Sequence, residues 1–319
     1  MPVRLSLGTL AGLFLGIALP SAASAQSCTF GISAMNFGQV DTLSGVQTNT
    51  TANMSVSCTG TSLSRILICP NLGEGSGGAT ASNRQMLNGT NIMNFQIYSD
   101  ASRSTVWGSY LWPYPSRPPV LAMTLSLLGS GTGSAVLYGA VPGGQGTVPP
   151  GSYLSAFSGS HVEFRYRYSA TSNDCTVTTG VVVARPSFNT TATVAANCLI
   201  STQPVDFGTT GVLTGNVDAT GQVAVSCTPG TTYSVGLGNG QTGTGPTSRR
   251  MALGTQGITY GLYRDTARSL PWGNTIGTNT VSGTGTGAAQ GIPVYGRVPP
   301  QTTPAPGTYT DTVVVTVTY

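Results

Sequence analysis

Tyr98-Ser99-Asp100-Ala101-Ser102-Arg103-Ser104-Thr105-Val106-Trp107-Gly108 returns in the second half of the chain as Tyr263-Arg264-Asp265-Thr266-Ala267-Arg268-Ser269-Leu270-Pro271-Trp272-Gly273. Tyr, Asp, Arg, Trp and Gly keep identical spacing. Upstream, Arg84 and Met86 answer to Arg249 and Met251; downstream, Tyr138-Gly139 answers to Tyr295-Gly296, and the turn Pro150-Gly151-Ser152-Tyr153 to Pro306-Gly307-Thr308-Tyr309. Farther out, Cys28, Asn36-Phe37-Gly38 and Met54-Ser55-Val56-Ser57-Cys58 match Cys198, Asp206-Phe207-Gly208 and Val223-Ala224-Val225-Ser226-Cys227. A shared order across both halves marks a duplicated unit.

Within each copy the segments are short and alternate apolar with polar: Met54, Val56, Cys58 in the first, Val223, Val225, Cys227 in the second, and Val313, Val315, Val317, Tyr319 at the end. A period of two marks half-buried strands. Only 7% of residues are charged and 44 are glycine, which suits β-branched strands joined by tight turns. The expected fold is all-β: two tandem immunoglobulin-like β-sandwich domains, the C-terminal one lacking its last strand.

Residues 1–25 carry Arg4, the apolar run Leu10 to Leu19 and the small-residue triplet Ala23-Ser24-Ala25, the layout of a secretory signal peptide. A membrane-spanning helix needs about 20 apolar residues, and Gly12, Gly16 and Pro20 interrupt this shorter run. The expected organisation is therefore 1–25 signal peptide, 26–175 first domain, 176–197 linker or donor strand, and 198–319 second domain.

Six cysteines in an exported chain favour disulfides. Zinc is the rival, but no C-x-x-C pair occurs and His161 is the single histidine. The repeat pairs Cys28 with Cys58 and Cys198 with Cys227. Cys69 and Cys175 have no counterparts and are expected to pair with each other, each bridge stabilising by about 2 to 5 kcal/mol.

All 13 basic residues are arginine, scattered singly except for Arg165 with Arg167 and Arg249 with Arg250. Nucleic acid needs a denser basic stripe, so none is expected as a partner. Catalysis has little material: one histidine, no lysine and no G-x-S-x-G nucleophile. His161 and Glu163 are expected to form a surface pair on one strand face. The duplicated Asp and Arg read as a fold contact, an arginine with a carboxylate at a turn. The glycine-rich stretch Gly73 to Gly78 and the stretch Gln145 to Pro150 read as strand connections. No enzyme, metal or cofactor is expected.

At these motifs the chain resembles the spore coat protein U family, whose domains form the subunits of archaic (Csu-type) chaperone-usher pili. The resemblance spans nearly the whole exported portion in two copies. It implies assembly by a periplasmic chaperone and an outer-membrane usher, export to the cell surface, and, for a two-domain member, the place of a tip adhesin active in cell adhesion and biofilm formation.

The repeat runs to Tyr319 just after the strand that follows the Pro306-Gly307 turn, so the edge Val313, Val315, Val317, Tyr319 is expected to accept a donor strand from the next pilin subunit. Gln26 and Ser27 alone precede Cys28 after the leader, so this chain is expected to accept and not to donate. Phe188, Thr190, Ala192, Val194 alternate as a donor strand does and are expected to complete the first domain; a plain extended linker is the alternative.

The first copy is longer between Trp107 and Tyr138 than the second between Trp272 and Tyr295. The insertion holds Leu111, Trp112, Pro113, Tyr114, Pro115, Pro118, Pro119 and Val120. Prolines stiffen it, and a rigid apolar loop loses little entropy on contact. It is the expected binding loop for an abiotic or host surface, the role that the resemblance gives to hydrophobic loops. Glycan stacking on Trp112 and Tyr114, a purely structural coat or shaft role, and burial of both aromatics in the core are the alternatives.

Overall fold

The computed structural model describes residue 1 and residues 25–112 and 116–319. Residues 2–24, which carry most of the expected leader, and Pro113, Tyr114 and Pro115 of the proline loop lie outside the described residues. The rest is a β protein with one short 3-10 turn at Gly159–His161.

The first copy contains β1 (Ser27–Ile32), β2 (Met35–Gln39), β3 (Thr48–Thr59), β4 (Arg65–Leu72), β5 (Arg84–Asn88), β6 (Asn91–Tyr98), β7 (Leu121–Thr124), β8 (Ser130–Val141), β9 (Gly151–Phe157), β10 (Val162–Tyr168), β11 (Val182–Ala184) and β12 (Phe188–Val194). They build one sheet in the order β1-β3-β8-β6-β5-β9-β12-β2 and a facing one in the order β11-β10-β4-β7. The second copy contains β13 (Cys198–Gln203), β14 (Val217–Cys227), β15 (Thr232–Leu237), β16 (Arg249–Leu253), β17 (Gln256–Tyr263), β18 (Val281–Thr284), β19 (Gln290–Val298) and β20 (Val315–Thr318). Its sheets run β13-β14-β19-β17-β16 and β18-β15-β20.

Alternation explains most of these strands. In β3, Ala52, Met54, Val56 and Cys58 are buried while the residues between them are exposed. β4 departs from the rule, since Ile66 to Leu72 are buried without a break. Ile66 and Ile68 face the inner core, whereas Leu67 and Cys69 lie under Cys175 and Tyr110 on the outer face. The Cys69–Cys175 bridge thus covers an outer face that would otherwise be wet. Cys28–Cys58 and Cys198–Cys227 tie β1 to β3 and β13 to β14.

The duplicated polar residues hold each copy together. Arg84 is fully buried and donates to the carbonyls of Gly73, Leu72 and Trp107 and to the Gln96 side chain. Arg249 does the same for the carbonyls of Gly238, Leu237, Trp272 and Pro246. Each tryptophan donates its indole N–H to a strand carbonyl, Trp107 to Pro70 at 2.8 Å and Trp272 to Val235 at 2.9 Å.

The two copies meet at the end where β3 begins and β8 finishes. There Asn197 donates to Asp41, and a Cβ on Gly287 would stand 2.0 Å from the Gly146 carbonyl oxygen. β3 spans 12 residues and pairs with β8 throughout. At about 3.3 Å per residue the opposite end lies roughly 40 Å away.

Candidate strand-acceptor groove and distal apolar loops

In the first copy β12 is seated between β9 and β2. It runs antiparallel to β9, with Phe188 opposite Phe157, Thr190 opposite Ser155, Ala192 opposite Tyr153 and Val194 opposite Gly151. It is parallel to β2, pairing Thr190 with Met35 and Thr191 with Asn36. Its four inward residues are buried, and Phe188 stacks on Phe157 with ring centroids 4.6 Å apart. The stretch 176–197, expected as a linker or donor strand, thus contributes β11 and β12 to the sheets of the first copy.

The repeat maps β9 onto Gly307 to Val313 and β2 onto Val205 to Thr209, and it maps the Leu87–Leu154 pair onto the Ala252–Thr310 bridge. Between those segments the described residues supply no strand. A groove of about 480 Å³ opens instead, walled by Val205, Phe207, Met251, Tyr260, Val313 and Val315. Neither flank counts as a strand here, because β2 and most of β9 owe their ladders to β12. Met35, Phe37, Met86 and Phe157 are buried, whereas Val205, Phe207, Met251 and Val313 are half-buried.

Of the expected acceptor edge, Val313 and Val315 wall the groove. Val317 pairs with Val235 in the β15–β20 ladder and packs on the core, and Tyr319 lies past the strand, exposed, at the cleft between the copies. Sequence reasoning missed the opposite wall, Val205 with Phe207, and the floor, Met251 with Tyr260. Alignment of the two copies onto Met35, Phe37, Met86 and Phe95 carries that signal.

Two carboxylates line the groove, Asp206, which is exposed, and Asp311, which is half-buried. Asp311 accepts from the Tyr260 hydroxyl at 2.7 Å, from the Gln241 N–H at 2.9 Å and from the Thr312 N–H at 2.8 Å. Burial, then the hydrogen bond and charge of Asp311, push the Tyr260 phenol well above its ordinary range. The first copy has Phe95 and Ser155 at these two positions.

The insertion lies along the flank of the first copy. Trp112 packs over Gly73, where a Cβ would stand 3.0 Å from the indole; Pro118 is buried and Pro119 half-buried, while Leu111 and Val120 are exposed. Ser109 accepts from the N–H groups of Leu111 and Trp112, and the Arg117 guanidinium sits 4.8 Å above the Tyr110 ring. A different apolar group marks the far end. On the turns after β3 and β7, Leu63, Leu127 and Leu128 are 62%, 76% and 93% exposed. The two turns are bonded into one unit by Gly60 N–H to the Gly129 carbonyl at 2.8 Å and the Ser62 hydroxyl to the Leu127 carbonyl at 2.8 Å. Leu63 has a φ of +60°, a conformation shared among described non-glycine residues only with the duplicated Arg103 and Arg268.

Two expected polar contacts differ. Glu163 pairs with Arg165 at 2.8 Å and with Arg185 at 2.5 Å, not with His161, because the 3-10 turn ends the alternation at residue 161. The duplicated Arg103 and Arg268 do not bind the aspartate of their own turn; they donate to the carbonyls of Gly139 and Gly296, while Asp100 and Asp265 accept from turn N–H groups. Arg268 does find a carboxylate elsewhere, Asp218 at 3.2 Å. Gly73 to Gly78 fold over β9, and the Gln145 side chain bridges Asn94 and Pro142, so both stretches act as connections.

The model of the Spore Coat Protein U domain matches residues 16–158 and again 184–316. Over 107 residues the chain is 39% identical to Protein U of Myxococcus xanthus; the match covers 31% of the chain and 59% of that relative's length. Among solved structures it is similar to a chain of the CsuC-CsuE chaperone-tip adhesion subunit pre-assembly complex from archaic chaperone-usher Csu pili of Acinetobacter baumannii. That likeness has a TM-score of 0.53 at 18% identity and covers 92% of this chain and 100% of the other, a likeness of fold.

Proposed function

Because the chain belongs to the Spore Coat Protein U domain family and carries two copies of its domain, we propose that it is the tip adhesin of a chaperone-usher pilus. In this reading it is brought to the usher in the outer membrane by a periplasmic chaperone and displayed at the cell surface. The second copy joins the fibre by taking a strand from the next subunit. The first copy, already complete, faces outward.

One observation carries this reading. The same slot is filled by β12 in the first copy and open in the second. An open apolar slot flanked by unpaired backbone invites strand addition. The second family match begins at residue 184, ahead of Cys198, which supports reading β12 as a lead-in of the second unit that is lent to the first. That is the same exchange between consecutive units that the open groove offers to a separate chain.

Contact with a surface is assigned to the far end. Leu63, Leu127 and Leu128 are presented on hydrogen-bonded turns, which spends little entropy on contact. The proline loop, with Leu111, Trp112 and Val120, adds a second apolar contact on the flank.

Two experiments test the reading. A synthetic peptide of residues 186–196, added to the full exported chain, is expected to raise the unfolding midpoint of the second copy and leave the first unchanged; no shift at saturating peptide refutes strand acceptance. Leu127→Ser with Leu128→Ser is expected to abolish most attachment to polystyrene while fibres still assemble, with Trp112→Ala costing less. Unchanged attachment removes the far end from the proposal.

A further inference from the structure

We propose that Asp311 and Tyr260 select which strand the open groove takes, favouring one whose second inward side chain donates a hydrogen bond, a hydroxyl or an amide. The inference rests on the reading of the groove as a strand acceptor.

The register follows from the first copy. β12 places its four inward residues opposite Phe157, Ser155, Tyr153 and Gly151. The repeat carries these positions onto Val313, Asp311, Tyr309 and Gly307. A strand entering in that register sets its first inward side chain on Val313, an apolar site. Its second comes down on the Asp311 carboxylate.

A carboxylate offers about four acceptor sites. Three are taken, by Tyr260, Gln241 and Thr312. Asp311 lines the groove, and the incoming strand removes the water that serves the remaining site. Valine or leucine there leaves a charged oxygen short of a partner, and such a loss is costly when the group is buried. A hydroxyl or amide supplies the missing donor.

The contrast with the first copy isolates the effect. There Thr190 sits opposite Ser155, and its hydroxyl is buried without a partner. The same threonine in the second groove would meet a carboxylate oxygen. Three changes between the copies go together: Phe95 becomes Tyr260, Gln96 becomes Gly261 and Ser155 becomes Asp311. Gln96 binds the buried Arg84 in the first copy. In the second, Arg249 donates to four backbone carbonyls, and the Asp311 carboxylate faces the groove that the strand would enter.

The test compares two peptides of residues 186–196 on the unaltered full chain, one native and one with Thr190→Val, which swaps the hydroxyl for a methyl group of nearly the same size. The native peptide is expected to bind about tenfold tighter or more, roughly 1.4 kcal/mol. In the D311S variant, which installs the first copy's residue, the gap is expected to shrink below about threefold. Equal binding, or tighter binding of the valine peptide, overturns the selection by Asp311 and leaves strand acceptance standing. A tenfold gap that persists in D311S overturns it too, because the preference then arises elsewhere. If neither peptide binds, both readings fall.

Discussion

Met86 and Met251 occupy the same place in the two copies, yet the first is sealed from solvent and the second is half-buried. The same holds for Phe37 and Phe207, and for Phe157 and Val313. The repeat puts each pair at the same point of the fold, so the difference comes from outside each unit, from whether a seven-residue strand such as β12 lies over them. Even secondary structure follows that strand. β2 exists because β12 pairs with it, and the equivalent stretch beside the open groove has no ladder at all. The stability of these residues is thus a property of a pairing, and one copy keeps its partner within the chain.

The largest expected effect exploits that contrast directly. Met86→Ala should destabilise the first copy by about 3 kcal/mol, since it empties a sealed site. Met251→Ala should cost about 1 kcal/mol, because a half-exposed side chain has less to lose. Denaturant unfolding that resolves the two copies measures both. Filling the groove with the peptide of residues 186–196 should bring the second value toward the first; equal costs without peptide would break the comparison.

How much of this was legible in the sequence depends on the range of the interaction. The duplication, the period of two in β3 and β14, and the pairing of Cys28 with Cys58 and Cys198 with Cys227 all lie in local pattern or in repeat spacing. The groove does not. Its walls come from Val205 and Phe207, from Met251 and Tyr260, and from Val313 and Val315, three stretches brought together only by sheet topology. An edge expectation drawn from the last strand alone therefore names Val313 and Val315, which wall the groove, together with Val317 and Tyr319, which do not. The proline loop shows a second limit. Composition marks Trp112 as a contact residue, but nothing local tells that it packs over Gly73, or that Leu127 and Leu128 stand most exposed at the far end.

A smaller effect separates the grooves by one atom. Tyr260→Phe gives the second copy the residue of the first at that position, removes the hydrogen bond to Asp311 and leaves a carboxylate oxygen short of a donor. A loss of about 1.5 kcal/mol from the second copy is expected, in the range for bonds to charged groups. The groove should still accept a strand, so peptide-induced stabilisation survives the change. A neutral outcome in denaturant unfolding would show that water replaces the phenol at no cost.

The smallest effect concerns what the copies share. The Ser102 hydroxyl and the N–H groups of Ser104 and Thr105 hold the Asp100 carboxyl well below the usual carboxylate range; in the second copy the Leu270 N–H, with the Ser269 hydroxyl and N–H, holds Asp265 down. A carboxyl whose folded value is depressed lends stability above its unfolded value, near 3.9, and loses it as pH falls through the folded value. Both side chains are solvent-exposed, so screening keeps the contribution small. Between pH 5 and pH 3 the unfolding midpoints of the two copies should therefore fall slightly and together. Asp100→Asn, whose amide does not titrate in this range, should reduce that acid shift in the first copy alone. If the first copy kept its full shift, the turn aspartate would have no part in the acid sensitivity, and the likeness of the two turns would be one of shape without shared electrostatics.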